Sequence, residues 1–323
     1  IHGLVFGDYF YKASGDSTGN GSQYQNIHKE KSAFQFRWFR LFYDHNISDN
    51  FFAQFMLEGD DRTFDNGGRH SLFVKLAYLE WKNVVSNMNL RFGMITTPTW
   101  ATAAKMWGYR SLEKTATDFR NMGAFSDIGI AANGKLGADG MFGYTVMIGN
   151  GSGPKPENDN SRKFYGAFSV KPIKNLVAEV NVDYEQGLKN KQNKFKLNKM
   201  NLIGFVGYQT EKYSAGLEVG QQTQSNVTDS TDVKPFAISL FGHYALSEKL
   251  KAVGRWDLYN PDQEVKKAGY TESFFLLGLD YMPVKDVHFI PNVWVNSFSK
   301  KKSTVASRDT DLVYRLTLFY VFK

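Results

Sequence analysis

The stretch Leu176-Val-Ala-Glu-Val-Asn-Val-Asp-Tyr-Glu185 alternates apolar and polar residues along most of its length. Alternation with a period of two is typical of a β-strand that has one apolar face. In a helix, Glu179 and Asp183 would share a face with apolar residues, so the pattern excludes a helix here. The same period recurs in residues 88–95, 141–149, 248–259 and 308–323. The sequence therefore predicts an all-β protein.

The length of these segments indicates which kind of β protein to expect. Most of them run for 9 to 13 residues. Strands of soluble proteins usually have about 5–6 residues, whereas tilted membrane-spanning strands need about 9–11. We predict sixteen strands, at residues 2–13, 33–44, 51–59, 71–81, 88–95, 127–136, 141–149, 162–171, 175–187, 198–209, 211–223, 235–246, 248–259, 271–282, 285–299 and 308–323.

The connections between the predicted strands fall into two classes. Those after even-numbered strands are short and lie at 44–50, 82–87, 137–140, 172–174, 210, 247 and 283–284. Those after odd-numbered strands are longer and polar, at 14–32, 60–70, 96–126, 150–161, 188–197, 224–234, 260–270 and 300–307. Alternating short turns and long loops are typical of an even-stranded outer-membrane barrel. We therefore predict a 16-stranded antiparallel transmembrane β-barrel, built as a single domain over residues 1–323.

Closure of the barrel has a physical reason. Lipid offers backbone groups no hydrogen-bond partner, so a membrane-spanning sheet cannot leave a free edge. Tyrosines near the strand ends are expected to anchor at the two bilayer interfaces, and they are Tyr9, Tyr11, Tyr144, Tyr184, Tyr208, Tyr281, Tyr314 and Tyr320. The penultimate Phe322 resembles the terminal aromatic signal for barrel assembly, although the final Lys323 departs from it.

Composition narrows the functional classes. The 323-residue chain contains no Cys, which excludes disulfides and thiolate chemistry. Its net charge of +7 comes without a basic tail, so nucleic-acid binding gains little support. The longest segment free of Asp, Glu, Lys and Arg is 140–154, too short for a spanning helix. No basic-then-apolar leader begins at Ile1; we expect a signal peptide to have been removed, the alternative being that the protein is not exported.

The predicted inward positions point to a water-filled interior. Sixteen strands enclose an aqueous channel, whereas eight would be filled by side chains. The inward set mixes acids and bases: Asp8, Lys12, Glu58, Lys75, Arg91, Glu179, Asp183, Glu185, Lys199, Glu218, Lys251, Arg255, Asp257, Asp280 and Arg315. Burying so many charges in a dry core is costly unless each is paired. Arg37 and Arg40 fall on opposite faces of the second strand, which places one at a rim or shifts the register there.

The longest loop, 96–126, is rich in large apolar residues. Long loops of compact proteins are usually functional, and a loop this apolar should not stand in water. We predict that it folds into the lumen, packs on the wall and narrows the pore. The alternative is a lid or a contact with a neighbouring subunit. Its four basic and two acidic residues give a net charge of +2, so we expect a mild preference for anions.

One region resembles a known family. Residues 88–136, with Leu90-Arg-Phe-Gly-Met94, Pro98, Arg110-Ser-Leu-Glu113 and Phe125-Ser-Asp-Ile-Gly-Ile-Ala-Ala-Asn-Gly134, resemble the porin O/P family, and the opening Gly3–Tyr11 is similar to a porin first strand. The resemblance implies a trimeric sixteen-stranded porin with a constriction loop. Phosphate- and polyphosphate-selective members line the pore with arginines and lysines. The mixed charges predicted here depart from that pattern, so phosphate selectivity does not carry over.

The leading functional hypothesis is a passive diffusion porin for small hydrophilic solutes or ions. We expect the constriction to be formed by Lys105, Arg110, Glu113, Lys114, Asp118 and Arg120 on the loop and by Arg91, Arg255, Asp257 and Arg315 on the wall. Each of these residues could equally form a salt bridge that pins the loop. Trp100, Trp107 and Tyr109 could form an aromatic slide for sugars, or could simply pack on the wall.

Other functions receive less support from the sequence. A channel specific for phosphate, a dicarboxylate or an oligosaccharide is the first alternative, and a structural or adhesive role of the long loops is another. An enzyme is not expected, because there is no G-x-S-x-G or H-E-x-x-H motif and the six His are scattered. We expect no cofactor and no metal. The expected partners are outer-membrane lipid, the solutes and two further copies in a homotrimer, in the outer membrane of a Gram-negative-type bacterium.

Overall fold

The computed structural model describes residues 1–17, 24, 27–157, 160–189, 196–228, 231–264 and 269–323. Five of the eight predicted long loops therefore include residues outside the described ranges. No helix in the described part of the chain is both long and apolar enough to cross a membrane.

The described residues form seventeen strands and three short helical segments. The strands are β1 His2–Ser14, β2 Ser32–Asn46, β3 Phe51–Asp60, β4 Phe73–Val85, β5 Met88–Thr96, β6 Ser126–Leu136, β7 Phe142–Gly149, β8 Arg162–Val170, β9 Leu176–Lys189, β10 Lys196–Gln209, β11 Tyr213–Thr228, β12 Thr231–Val233, β13 Phe236–Ser247, β14 Leu250–Asn260, β15 Tyr270–Val284, β16 Val287–Lys300 and β17 Asp311–Phe322. The helices are α1 Ala101–Trp107, α2 Ala116–Phe119 and a 3₁₀ turn at Ala138–Gly140.

The sheet closes on itself. Each long strand pairs antiparallel with its neighbours in the chain, and β1 pairs with β17 from Gly3–Phe322 to Ser14–Leu312. The three-residue β12 only extends the pairing of β11 at its loop end, because β11 also pairs directly with β13. The barrel therefore has sixteen crossing strands, which confirms the predicted fold class.

Loop length separates by barrel end, as the sequence indicates. The seven connections that follow β2, β4, β6, β8, β10, β13 and β15 are short, and those at the other end are longer. Two of the short turns contain Asn87 and Asp286 in the left-handed backbone region, with φ of 62° and 67°. Asn and Asp tolerate this region because their short polar side chains can bond to the local backbone.

The two faces of the wall differ in chemistry. The outer face exposes an apolar belt that includes Val180, Leu217 and Leu277, and six of the eight predicted tyrosines are among its exposed residues. All fifteen charged residues that were assigned to the lumen are buried or half-buried. An apolar outer surface of this extent suits lipid rather than water. The barrel therefore carries its apolar side chains outside and its charged side chains inside, the reverse of a water-soluble protein.

Two β-bulges change the register that simple alternation predicts. Pairing passes from Phe6–Trp38 to Gly7–Phe36, so Arg37 has no partner residue on β1. Between β3 and β4 the pairing likewise skips Lys75. A bulge inserts one residue and re-aims the local side chains. The shift explains how Arg37 and Arg40 are both buried inside the barrel, and of the two possibilities left open by the sequence, the register shift is correct.

We predict that charge on the outer face destabilises the barrel in proportion to its depth. Leu277 lies at the middle of β15 and is 66% exposed. Arg at the bilayer midplane costs about 2–4 kcal/mol and near an interface about 0–1 kcal/mol. Leu277→Arg should therefore lower the free energy of unfolding in lipid vesicles far more than the control Leu246→Arg at the short-turn end of β13. Equal losses would contradict a membrane-facing wall.

Candidate pore constriction

Residues 97–125 leave the wall between β5 and β6 and turn into the barrel. The base of this constriction loop is closed by a hydrogen bond from Thr97 N to Phe125 O of 3.0 Å. Helix α1 ends at Gly108, whose left-handed backbone, with φ of 67°, accepts the sharp change of direction. Helix α1 packs on β10 and β11, and α2 packs on β13. The inward-folded constriction loop predicted from the sequence is thus confirmed.

Apolar packing holds the loop to one side of the lumen. Trp107, Leu112 and Phe119 are buried in a cluster with wall residues that include Phe241 and Trp294. Trp107 meets Phe241 edge to face with ring centroids 5.3 Å apart. A glycine in the wall lets the loop approach closely at another point, because a Cβ on Gly220 would lie 2.5 Å from Thr117 Cγ2. The loop therefore covers the wall from β10 to β17.

Polar groups of the wall bind the backbone of the loop. Glu218 accepts hydrogen bonds from Ala116 N at 3.1 Å and from Thr117 Oγ1 at 2.5 Å. Gln222 Nε2 donates to Met122 O at 3.0 Å. Because these groups are buried, each bond satisfies a donor or acceptor that would otherwise be costly to desolvate.

Three of the four predicted wall residues lie in this packed contact. Arg255 pairs with Asp257, with Nε 2.8 Å from Oδ1, and donates to the carbonyl oxygen of Lys114. Arg315 Nε donates to Asn292 Oδ1 at 2.7 Å. All three are 4% exposed or less. Arg255 thereby contacts the backbone of the loop, and Arg315 bonds to its neighbour Asn292 on the wall.

Ion pairs also shape the loop itself. Arg110 NH1 lies 2.5 Å from Asp118 Oδ2, and Arg120 NH1 lies 2.7 Å from Glu272 Oε2 on β15. Burial raises the pKa of Asp118, but the positive charges of Arg110 and Lys114 outweigh it and hold that pKa below its ordinary value. The pair therefore stays ionised well into the acid range.

Glu113 and the three aromatic residues of the loop belong to the packed side as well. Glu113 accepts from Trp294 Nε1 through Oε2 at 3.1 Å. Trp107 Nε1 donates to Glu113 O at 2.7 Å, and Tyr109 OH donates to Asp280 Oδ2 at 2.9 Å. Trp100, Trp107 and Tyr109 are all buried, so their rings present little surface to a solute.

The opposite side of the loop faces an open, polar space. Lys105 is exposed, and Arg110, Lys114 and Arg91 are half-buried. Arg91 on β5 keeps 31% of its side chain exposed while its Nε lies 2.7 Å from Glu80 Oε2. Of these four, Lys105 lines a cavity, whereas Arg110 and Lys114 lie over the ring of Trp38 on β2.

Two cavities continue this space towards the short-turn end of the barrel. One has a volume of about 370 Å³ and is lined by Asn89, Asn133, Thr145, Ala167, Ser169 and Glu179. The other has about 630 Å³ and is lined by Thr102, Lys105, Lys171, Lys174, Asn175 and Gln209. Ser169 and Lys171 line both, so the cavities adjoin. Open space thus lies at the short-turn end of β4–β10, and further along β5–β8 the inward residues Ile95, Ala131, Met147 and Tyr165 form a buried apolar cluster.

Several partners of the site were not identified from the sequence. Glu80 holds Arg91, and Glu272 holds Arg120. Strand parity could have found Glu80, since it alternates with outward Leu79 and Trp81. Among the described residues, no group of three or more His, Cys, Asp or Glu side chains is arranged to hold a metal ion.

Comparison with known proteins places this geometry in a structural class. Neither known protein-family models nor curated protein sequences match the chain. Solved structures do match over 99% of the chain: an anion-selective porin from Comamonas acidovorans (12% identity, 98% of that chain, TM-score 0.68), the outer-membrane channel DcaP of Acinetobacter baumannii (14%, 96%, 0.75) and the trimer form of OmpT, an outer-membrane protein of Vibrio cholerae (12%, 98%, 0.63). The chain therefore has the fold of outer-membrane porins.

We predict that Glu218 is a main anchor of the constriction loop. Glu218→Ala leaves Ala116 N and Thr117 Oγ1 without their acceptor, and a buried unsatisfied group costs about 1–3 kcal/mol. The variant should unfold at lower denaturant concentration and show noisier current than wild type in a planar bilayer. Glu248→Ala, in the exposed turn between β13 and β14, is the matched control. If Glu218→Ala unfolds at the same denaturant concentration as wild type and shows the same current noise, the loop does not depend on this anchor.

Proposed function

We propose that the protein is an outer-membrane porin through which small hydrophilic solutes or ions diffuse passively, with a mild preference for anions. The observation that carries the proposal is the division of the lumen. The constriction loop is packed on the wall from β10 to β17, and a polar space remains along β4–β10. A passive channel needs such a water-compatible route together with a fixed constriction.

The register of the wall gives this space a mostly polar lining. Inward positions on neighbouring strands pair as Asn89–Asn133, Asn133–Thr145 and Thr145–Ala167, which places them side by side across β5–β8. The Asn and Thr side chains carry no charge but hydrogen-bond to water and to neutral or charged solutes. A solute that passes the loop would therefore meet a polar lining before it leaves through the two cavities.

The charges along this route favour anions slightly. The cations Lys105, Arg110, Lys114 and Arg91 are exposed or half-buried, whereas the acidic residues Asp118 and Glu80 are buried. We propose that these four basic residues contact the solute. For Glu113, Asp118, Arg120, Arg255, Asp257 and Arg315 the ion pairs and loop contacts described above favour the pinning role.

The wider assignment follows from the same fold. We propose that one barrel unit over residues 1–323 assembles as a homotrimer in the outer membrane of a Gram-negative-type bacterium, a proposal supported by the trimer form of the matching OmpT. The resemblance of residues 88–136 supports membership of the porin O/P family. We propose no catalytic activity, because the buried acids and bases pair with one another or with the loop.

Single-channel recording in a planar bilayer tests the function. We expect triplet openings and a reversal potential under a salt gradient that is weakly on the anion side. Lys105→Glu should move that potential towards cations, because it reverses a charge at the mouth of the route. Lys302→Glu, exposed in the loop between β16 and β17, is the control and should have little effect. A folded barrel that never conducts would contradict the proposal.

The anion preference should weaken at alkaline pH through Lys114. Burial lowers the pKa of Lys114, and with the positive charges of Arg110 and Arg62 it outweighs the opposing effect of Asp118 and Glu113. Lys114 therefore loses its charge at lower pH than an ordinary lysine, whose pKa is about 10.4. Raising the pH should shift the reversal potential of wild type towards cations before the same shift appears in Lys114→Arg, which stays charged. If the reversal potentials of wild type and Lys114→Arg change with pH in the same way, Lys114 has no role in selectivity.

A further inference from the structure

A second segment enters the lumen from the loop between β1 and β2. Of residues 15–31 the structure describes 15–17, 24 and 27–31. Tyr24 is fully buried, with 0% of its surface exposed. Tyr24 and Ile27 are the apolar residues of the otherwise polar stretch 14–32, and Ile27 packs against the same cluster that holds the constriction loop. A lone aromatic in a polar loop is thus placed inside the barrel.

The side chain of Tyr24 is held on both its apolar and its polar end. Its ring meets Phe10 and Trp294 edge to face, with centroids 5.3 Å and 5.4 Å away. Its hydroxyl donates to Asp8 Oδ2 at 3.1 Å. Edge-to-face pairs of this kind add to the stability gained from burial alone. The ring therefore has one defined position.

A buried ion pair fixes the backbone at the same point. Lys12 Nζ donates to Tyr24 O at 2.8 Å and lies 2.8 Å from Asp311 Oδ1. Both side chains of the pair are 0% exposed. A buried pair is stable only when its remaining donors are satisfied, and Lys12 uses another of them on Asp16 O at 2.9 Å. The loop and the first and last strands are thereby joined.

Tyr24 and the constriction loop share their partners on the wall. Asp8 Oδ2, which accepts from Tyr24, also lies 3.1 Å from Arg37 NH1, and Arg37 NH1 donates to Ser111 O in the constriction loop at 3.1 Å. Trp294, which packs on Tyr24, donates to Glu113 of the same loop. The two inward segments meet at these side chains and together cover the wall at β16, β17, β1 and β2.

We propose that Tyr24 is a second residue that determines pore size: its ring seals the gap between the constriction loop and this part of the wall, and so confines solutes to the route along β4–β10. The inference rests on the proposed function. Its physical basis is the surroundings of the ring. Asp8 and Arg315 lie against it, and Arg37 pairs with Asp8. A void lined by charged side chains fills with water, whereas an apolar void stays dry.

The test is the conductance and the size cut-off of Tyr24→Ala. Loss of the ring should give a larger single-channel conductance than wild type and should admit larger polyethylene glycols, measured as the polymer size at which conductance is no longer reduced. Tyr24→Phe keeps the ring and should keep both values. Tyr184→Ala removes an exposed ring from the outer face of β9 and is the matched control. Heat-modifiable gel migration checks that each variant is folded.

A folded Tyr24→Ala with unchanged or smaller conductance and an unchanged cut-off would overturn the inference while leaving the porin assignment intact. If wild type is silent and Tyr24→Ala conducts, the sealing role stands and the open-channel function fails. If neither wild type nor Tyr24→Ala conducts, both the sealing role and the open-channel function fail.

A second variant covers the case in which Tyr24→Ala does not fold. Lys12→Met with Asp311→Asn removes the buried pair without leaving a lone charge, and releases the backbone of Tyr24. We expect intermittent openings to a larger conductance level. A steady current at the wild-type level would overturn the inference.

Discussion

The structure depends on one constraint, which is that lipid cannot satisfy a backbone hydrogen bond. Every long strand must therefore pair on both sides, and the sheet closes where β1 meets β17. Closure and the period of two then divide the side chains: the apolar set faces lipid and the charged set faces inward. The many charged side chains inside the barrel then each need either an ion-pair partner or water.

The charges inside the barrel occupy two different environments. On the side covered by loops they pair with one another or bind loop carbonyls, as Arg37 and Arg255 do. There the low dielectric makes each interaction strong and an unpaired charge expensive. On the side along β4–β10, Arg91 and Lys105 keep solvent-exposed surface. Arginines and lysines thus fix the loops where they are buried and line the route where they keep solvent-exposed surface.

The sequence was enough to predict the strands, their number, the separation of loop lengths and the inward constriction loop, because each depends on local periodicity or composition. It could not resolve the position of Arg37, since a bulge depends on how two strands pair. It could not tell which wall the loop covers, so pinning and solute contact stayed open for Arg255 and Arg315. Tyr24 was missed because its burial depends on Phe10 and Trp294, which are distant in the chain.

The central claim is that one side of the lumen carries solute and the other is sealed. Because the chain contains no Cys, single cysteines can report on each side. Thr145 lines one of the cavities, whereas Ser239 lies on β13, the strand that α2 packs on, and is 0% exposed. A charged, membrane-impermeant thiol reagent added during recording should block Thr145→Cys and leave Ser239→Cys unaffected. Block of Ser239→Cys with no effect on Thr145→Cys would contradict the account.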